Sequence, residues 1–353
     1  MLVGADVVNF DSHRKEELAE GHIGERVTKR AYALRVDNPV VLAEVTERHR
    51  ESVGRAVGLR SFGVLVAGLW NMIACSRSME EPDMADLRIF SYLPNPRIWK
   101  ATIAARLCGV DIEIFGAPPR ELKDWLWDFD ARPLTQADKA SGEYTREART
   151  GFAGRLYKTD AFLEAHPFGT VPAAFSPDGA VGIFESNSIM RAVVRLGHSE
   201  FGLYGNDPYT ASRIDSFLDA SLVFARDSQV YLLSLAAKTV TREIYDRAAQ
   251  AFSSYMSGID KSLAPNRVFI VSDRVTLADI CFVCEYALFS REAERRSALA
   301  TLGVAPITDD SPATRFPRAT SHFERLCAHE AFAADLGPFL TAQRSRIEAS
   351  ASG

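Results

Sequence analysis

The chain has 353 residues, 47% of them apolar and 25% charged, with a formal net charge of −5. These are ordinary globular proportions, and the length predicts two domains with room for a sizeable core. No basic excess is available to neutralise phosphates, which argues against general affinity for nucleic acid or an anionic membrane. Five cysteines, at positions 75, 108, 281, 284 and 327, are too sparse for a disulfide scaffold and fit a reducing, cytoplasmic setting.

Residues 1–83 read as a polar, charge-mixed extension that ends in the apolar run Ser61–Cys75. That run is too short to cross a bilayer comfortably and lies too deep for a cleavable signal, so no transmembrane segment is expected. Several readings of the extension stand open. It is disordered, or a mis-start with Met79 or Met84 as the true beginning, or a targeting segment, or a small helical appendage over Val40–Val66.

From Leu87 the pattern alternates between strand and helix. Leu87–Tyr92 is predicted as a strand. Arg97–Leu107 carries Ile98, Trp99, Ile103 and Leu107 at helical spacing, with Gly109 as its stop. Val110–Phe115 is a second strand. The stretch from Pro118 to Arg155 is a long insertion holding Trp125, Leu126, Trp127 and Phe129 before a polar, glycine-containing run. It is either a solvated segment anchored by its aromatics or a lid over a binding site. Thr159–Ala165 is a short helix ended by Pro167. Val171–Phe175 and Val181–Phe184 are strands joined by the turn Ser176-Pro177-Asp178-Gly179. Glu185–Leu196 is the closing helix, stopped by Gly197.

Two of these features suggest a ligand. A proline entering a strand gives up one ladder donor, and a cis bond there would turn neighbouring backbone groups outward to meet an extended peptide. Glu185-Ser186 opens a helix whose free N–H groups and dipole favour a carboxylate. Together they make a small-peptide cradle.

Residues 198–209, rich in Gly, Asn, Asp and Pro, read as a linker; 210–340 is helical with no convincing strand, and 341–353 is a tail. Thr276-Leu277-Ala278-Asp279 fits a capping box, a structural role for both polar residues. Cys281-Phe282-Val283-Cys284 lies in an apolar run and reads as two packed thiols rather than a redox or metal pair. The histidines, among them His322 and His329, show no metal spacing. Arg291, Arg295 and Arg296, alternating with Glu292 and Glu294, read as a solvated face.

The order Val171-Pro172, Phe184-Glu185-Ser186-Asn187-Ser188-Ile189, then Arg274-Val275-Thr276-Leu277-Ala278-Asp279-Ile280, together with Ala117-Pro118-Pro119, resembles the cytosolic glutathione transferase superfamily over roughly residues 87–338. In motif it is most similar to the transferase-like domain of elongation factor 1B gamma. The resemblance implies a thioredoxin-like α/β domain over 84–197, interrupted at about 118–155, and an all-α domain over 210–340. It implies that glutathione, as co-substrate, lays its cysteinyl part along Val171-Pro172 beside Thr170 and its γ-glutamyl end on Glu185 and Ser186. A small hydrophobic electrophile would then sit between the domains and meet the thiolate by conjugation or ether thiolysis.

The chain departs from the family pattern at two places. The usual hydroxyl donor falls at Leu93, which cannot hydrogen-bond a thiolate. Asn95, Tyr92 and the N–H groups of the helix beginning near Arg97 are the substitutes, against the reading that Asn95-Pro96 merely caps that helix. Thr170 stands where many relatives carry Lys or Gln. Leu93 therefore supports the rival reading of a non-catalytic interaction module like the elongation factor domain. By analogy with the family, a homodimer or a dimer with a related subunit is expected.

Overall fold

The computed structural model describes residues 85–148, 152, 154–263, 265–309 and 312–351, all within a unit spanning Glu81–Gly353. The extension over 1–83, with its apolar run, its helix over 40–66 and the candidate starts Met79 and Met84, lies outside the described residues.

The first half is organised on a four-stranded sheet of β1 (Leu87–Tyr92), β2 (Ile112–Ala117), β7 (Ala173–Phe175) and β8 (Gly182–Phe184), in the order β2-β1-β7-β8. β1 and β2 run parallel, joined through helix α1 (Trp99–Cys108), while β7 and β8 pair antiparallel through the expected turn, Gly179 N–H donating to Ser176 O at 2.8 Å. Side chains alternate across a strand, so each strand feeds two cores. Leu87, Ile89 and Ala174 pack on one face with α1 and with helix α4 (Ser186–Leu196). Phe90, Ala173 and Phe175 point to the other.

The insertion covers that second face. It forms its own sheet from β3 (Trp125–Trp127), β4 (Arg132–Pro133), β5 (Thr145–Glu147) and β6 (Arg155–Lys158), ordered β4-β3-β6-β5, with helix α2 (Gln136–Ser141) inside it. Leu122, Trp127 and Leu156 bury against Phe90 and Phe175, together with Phe162 of helix α3 (Asp160–Ala165). The aromatics thus anchor the segment on the sheet, as the first of the two readings expects, while most of its polar residues stay exposed. A sheet with a parallel pair and apolar side chains on both faces needs both faces covered.

Gly116 shows how closely the strand ends approach. Its φ is +150°, and a Cβ there would fall 1.7 Å from the Ser91 carbonyl oxygen. Only glycine lets β2 run beside the end of β1, the end that carries Tyr92.

From residue 208 on, the described residues hold helices and turns and no strand. Helices α5 (Pro208–Ala237), α6 (Arg242–Ser262) and α7 (Leu277–Phe289) form the centre, followed by a 3-10 turn over Ser290–Arg295, the short helices α8 (Arg296–Ala300) and α9 (Pro312–Arg315), and then α10 (Pro317–Cys327) and α11 (Glu330–Ala351). Every residue of α7 except Tyr286 is buried, which explains its largely apolar sequence, and its two acids, Asp279 and Glu285, are both hydrogen-bonded. Its start is held as expected: Asp279 Oδ2 accepts from both the N–H and the hydroxyl of Thr276, each at 2.8 Å. No helix among the described residues is long and apolar enough to cross a membrane.

Candidate functional site

A cavity of about 1160 Å³ opens between the first half and the helices, and all seven residues singled out from the sequence line it: Tyr92, Asn95, Thr170, Val171, Pro172, Glu185 and Ser186. Three elements bring them together. The end of β1 supplies Tyr92 and Asn95, the approach to β7 supplies Thr170, Val171 and Pro172, and the start of α4 supplies the last pair. The Val171–Pro172 bond is cis.

At the start of α4 the Glu185 carbonyl accepts from the N–H groups of Ser188 and Ile189, both at 2.9 Å, so the amides of Ser186 and Asn187 form the open end of the helix. Glu185 has φ +66° and its side chain makes no capping bond. An exposed, non-glycine residue held in that region is a mark of functional sites. The acid is therefore not spent on capping its own helix.

Beneath this opening lies a buried ionic cluster that sequence reasoning missed. Lys100, fully buried in α1, donates to Ser186 Oγ at 3.2 Å, Asn187 Oδ1 at 2.8 Å and Glu285 Oε1 at 2.7 Å. Arg97 reaches the same carboxylate at 3.2 Å and donates to Gln229 Oε1 at 3.1 Å. Burial alone would raise the Glu285 carboxyl, but Arg97 and Lys100 together hold it well below the usual range, so it is ionised. The available signal was a lysine on the apolar face of a predicted helix. Because Lys100 uses the acceptor side of Ser186, the Ser186 hydrogen remains to donate into the cavity.

The donor candidates differ in how they are used. Asn95 is nearly inaccessible: its Oδ1 accepts from Arg97 N–H at 3.0 Å and its amide donates to Ser91 Oγ at 3.1 Å. It shapes the turn ahead of α1, which begins at Trp99 rather than near Arg97. Tyr92 has no hydrogen-bond partner for its hydroxyl among the described residues and faces the cavity. Burial raises its phenol, against the opposing charges of Arg97 and Arg291, so it stays protonated and able to donate. Leu93 packs against the core instead of lining the cavity.

Beside Thr170 the insertion contributes a cation that the sequence did not place there. Lys158 of β6 lines the cavity, donates to the Gly169 carbonyl at 2.6 Å and lies 4.8 Å from the centre of the Trp127 ring. A positive charge thus stands near Thr170, supplied by a different element. Two other expectations resolve in the helical half. Cys281 and Cys284 are buried, and burial pushes both thiols up, so they are packed rather than reactive. Glu292 is not on a solvated face: it is fully buried and accepts from Tyr231 OH, Ile307 N–H and the N–H and hydroxyl of Thr308. His322 likewise turns inward, 2.8 Å from Asp279.

No protein-family model matches the chain. Among curated proteins it is similar to elongation factor 1-gamma of Rattus norvegicus, 29% identical over 204 residues that cover 57% of this chain and 38% of that protein. The Danio rerio elongation factor 1-gamma is 26% identical over the same proportions. The chain thus spans less than two fifths of the length of these curated relatives. Among solved structures, the glutathione transferase URE2P5 from Phanerochaete chrysosporium superposes with a TM-score of 0.50 at 15% identity, covering 74% of this chain and 97% of that one. That likeness speaks for the fold. With the strand order β2-β1-β7-β8 and the helices that follow it, the chain is glutathione-transferase-like, a thioredoxin-like half leading into an all-helical half.

Proposed function

We propose that the protein is a glutathione-dependent transferase, with Tyr92 as the hydrogen-bond donor to the thiolate. The observation that carries this reading is the convergence of a free tyrosine hydroxyl, the Val171-Pro172 edge and the open end of α4 on one cavity. The tripeptide would run along Val171-Pro172. Its γ-glutamyl carboxylate would take the Ser186 hydroxyl and the α4 amides, its ammonium the Glu185 carboxylate, and its other carboxylate would lie toward Lys158. The positive charges of Arg97 and Arg291, felt at Tyr92, favour the ionised sulfur. The sulfur then attacks an electrophilic carbon, a C–S bond forms, the leaving group departs with the bond's electrons, and the thiol proton has already passed to solvent. Conjugation and ether thiolysis share these steps.

A second reading keeps the fold without the chemistry. Leu93 buries a non-donor at the family's donor position, and the curated relatives are elongation factor subunits. In that case the protein would be an interaction module.

Retention on immobilised glutathione, followed by turnover of a generic aryl halide, separates the two. Retention with turnover is expected. Tyr92→Phe should lower kcat/KM on the order of 10²-fold, the usual cost of one oriented donor to a developing or full anion. A folded chain that neither binds glutathione nor turns over supports the interaction module.

A further inference from the structure

A second, smaller hollow, of about 270 Å³, shares no residue with the cavity of the candidate site. It lies where the chain leaving α6 meets α10, and its lining includes Arg267, Arg318, Ser321, His322 and Arg325. Residues three, four and seven apart share one face of a helix, so α10 presents the last four as a single stripe. Arg267, from the turn after α6, adds a third guanidinium group in a chain whose net charge is −5.

The three arginines are engaged to different degrees. Arg318 donates to Asp260 Oδ2 at 3.2 Å, while the N–H groups of Arg318 and Ala319 donate to Oδ1 of the same carboxylate at 2.8 and 3.1 Å. Asp260 thus holds the start of α10 and offsets one guanidinium. Arg325 donates to the Val268 carbonyl and, at 2.6 Å, to His322 Nδ1. An arginine can only donate, so Nδ1 accepts and the ring proton sits on Nε2, 2.8 Å from Asp279 Oδ1. Both bonds of Arg325 use one terminal nitrogen, which leaves its other terminal nitrogen and Nε to the hollow. Arg267 has no ion pair or hydrogen bond among the described residues, and the Ser321 hydroxyl has no partner among them. Among the described residues no acid lines the hollow, Glu324 of α10 included.

Three guanidinium groups against the Asp260 carboxylate leave a surplus of two positive charges. A phosphate monoester carries about −1.5 to −2 near neutral pH. Its oxygens are set tetrahedrally, so they can meet donors from a helix and from a separate turn, whereas a carboxylate offers two oxygens in one plane. The hollow also falls below the roughly 300–1,000 Å³ of sites that enclose larger organic ligands, which favours a compact, highly charged group.

We propose that this hollow is a phosphate site, taking the phosphate of a small molecule, free or as a monoester, on Arg267, Arg325 and the Ser321 hydroxyl, with Arg318 at its edge. The site stands apart from the larger cavity and holds whether or not the protein is a transferase. A bound phosphate would tie the turn after α6 to α10 and so favour the folded chain.

The test titrates the full chain with inorganic phosphate, glycerol 3-phosphate and acetate, by calorimetry and thermal unfolding at fixed ionic strength. Inorganic phosphate, glycerol 3-phosphate or both should bind at least about tenfold more tightly than acetate and raise Tm as concentration rises. Arg267→Gln should weaken the phosphate compounds about tenfold and Ser321→Ala about threefold. Arg325→Gln would also release Val268 and His322, so the first two variants, which give up no bond among the described residues, are the deciding ones. Arg295→Gln, in the larger cavity, should leave phosphate affinity unchanged, and saturating glutathione should not compete. Tighter binding of glycerol 3-phosphate names a monoester as the ligand; equal or tighter binding of inorganic phosphate names the free anion. Neither phosphate compound held better than acetate, or an affinity that follows Arg295 rather than Arg267, overturns the proposal.

Discussion

His166 shows how a single side chain couples this site to pH. It is buried, stacked 4.9 Å from the Phe184 ring, with Nε2 3.3 Å from the Thr170 hydroxyl and no partner at Nδ1 among the described residues. Burial first, and the nearby Lys158 charge second, lower its pKa from 6.5 to about 4. The unfolded chain therefore takes up this proton at higher pH than the folded chain does. The histidine's contribution to stability is complete above pH 6.5 and is lost as pH falls from there through about 4. Urea titrations at stepped pH should show that loss. In His166→Phe, which keeps an aromatic ring on Phe184, the slope over this window should flatten; an unchanged slope would assign the acid sensitivity elsewhere. The same burial argument separates Tyr92 from Asn95: one hydroxyl is left to the cavity, while the amide is used in the turn.

At the scale of elements, the insertion is the feature that most distinguishes this chain. Trp127 anchors it, meeting Phe90 at 5.7 Å, Phe152 at 5.4 Å and Phe162 at 6.1 Å between ring centres, with its indole N–H donating to Leu122 O at 3.1 Å. Removing such a ring leaves a cavity and a stranded carbonyl. Trp127→Ala should cost about 3–5 kcal/mol in chemical denaturation. Because β3 pairs directly with β6, the loss should also weaken glutathione retention by displacing Lys158. A variant that loses stability yet retains glutathione as before would show that Lys158 takes no part in binding.

The two halves are held together by charge as well as by apolar packing. Arg97 comes from the turn just before α1, Lys100 from the first turn of α1 and Glu285 from α7, with Asn187 of α4 donating to Leu218 O and Ser221 Oγ of α5 at 2.9 and 3.1 Å. Lys100→Met removes the closer cation and leaves a carboxylate that is almost wholly buried with Arg97 as its remaining ion partner among the described residues. Breaking a buried pair in this way costs about 3–5 kcal/mol, whereas replacing both partners by apolar groups is far milder. Thermal unfolding should show the large loss in Lys100→Met and a substantial recovery in Lys100→Met/Glu285→Leu. Absence of recovery would mean that the cation acts on Ser186 and Asn187 more than on Glu285. What the amino-acid order determined by itself was local: alternating strands, a proline before β7, an acid and hydroxyl opening α4, the Thr276–Asp279 box and an apolar α7. Each follows from backbone geometry, capping and short-range periodicity, which act within a few residues. The tertiary structure alone decided the rest. Lys158 comes to stand beside Thr170, the insertion becomes the cover of a sheet face, Glu292 turns inward, and Glu285 meets a lysine 185 positions away. Those outcomes depend on which charges are desolvated together, and desolvation is a property of the packed chain that no stretch of sequence carries alone.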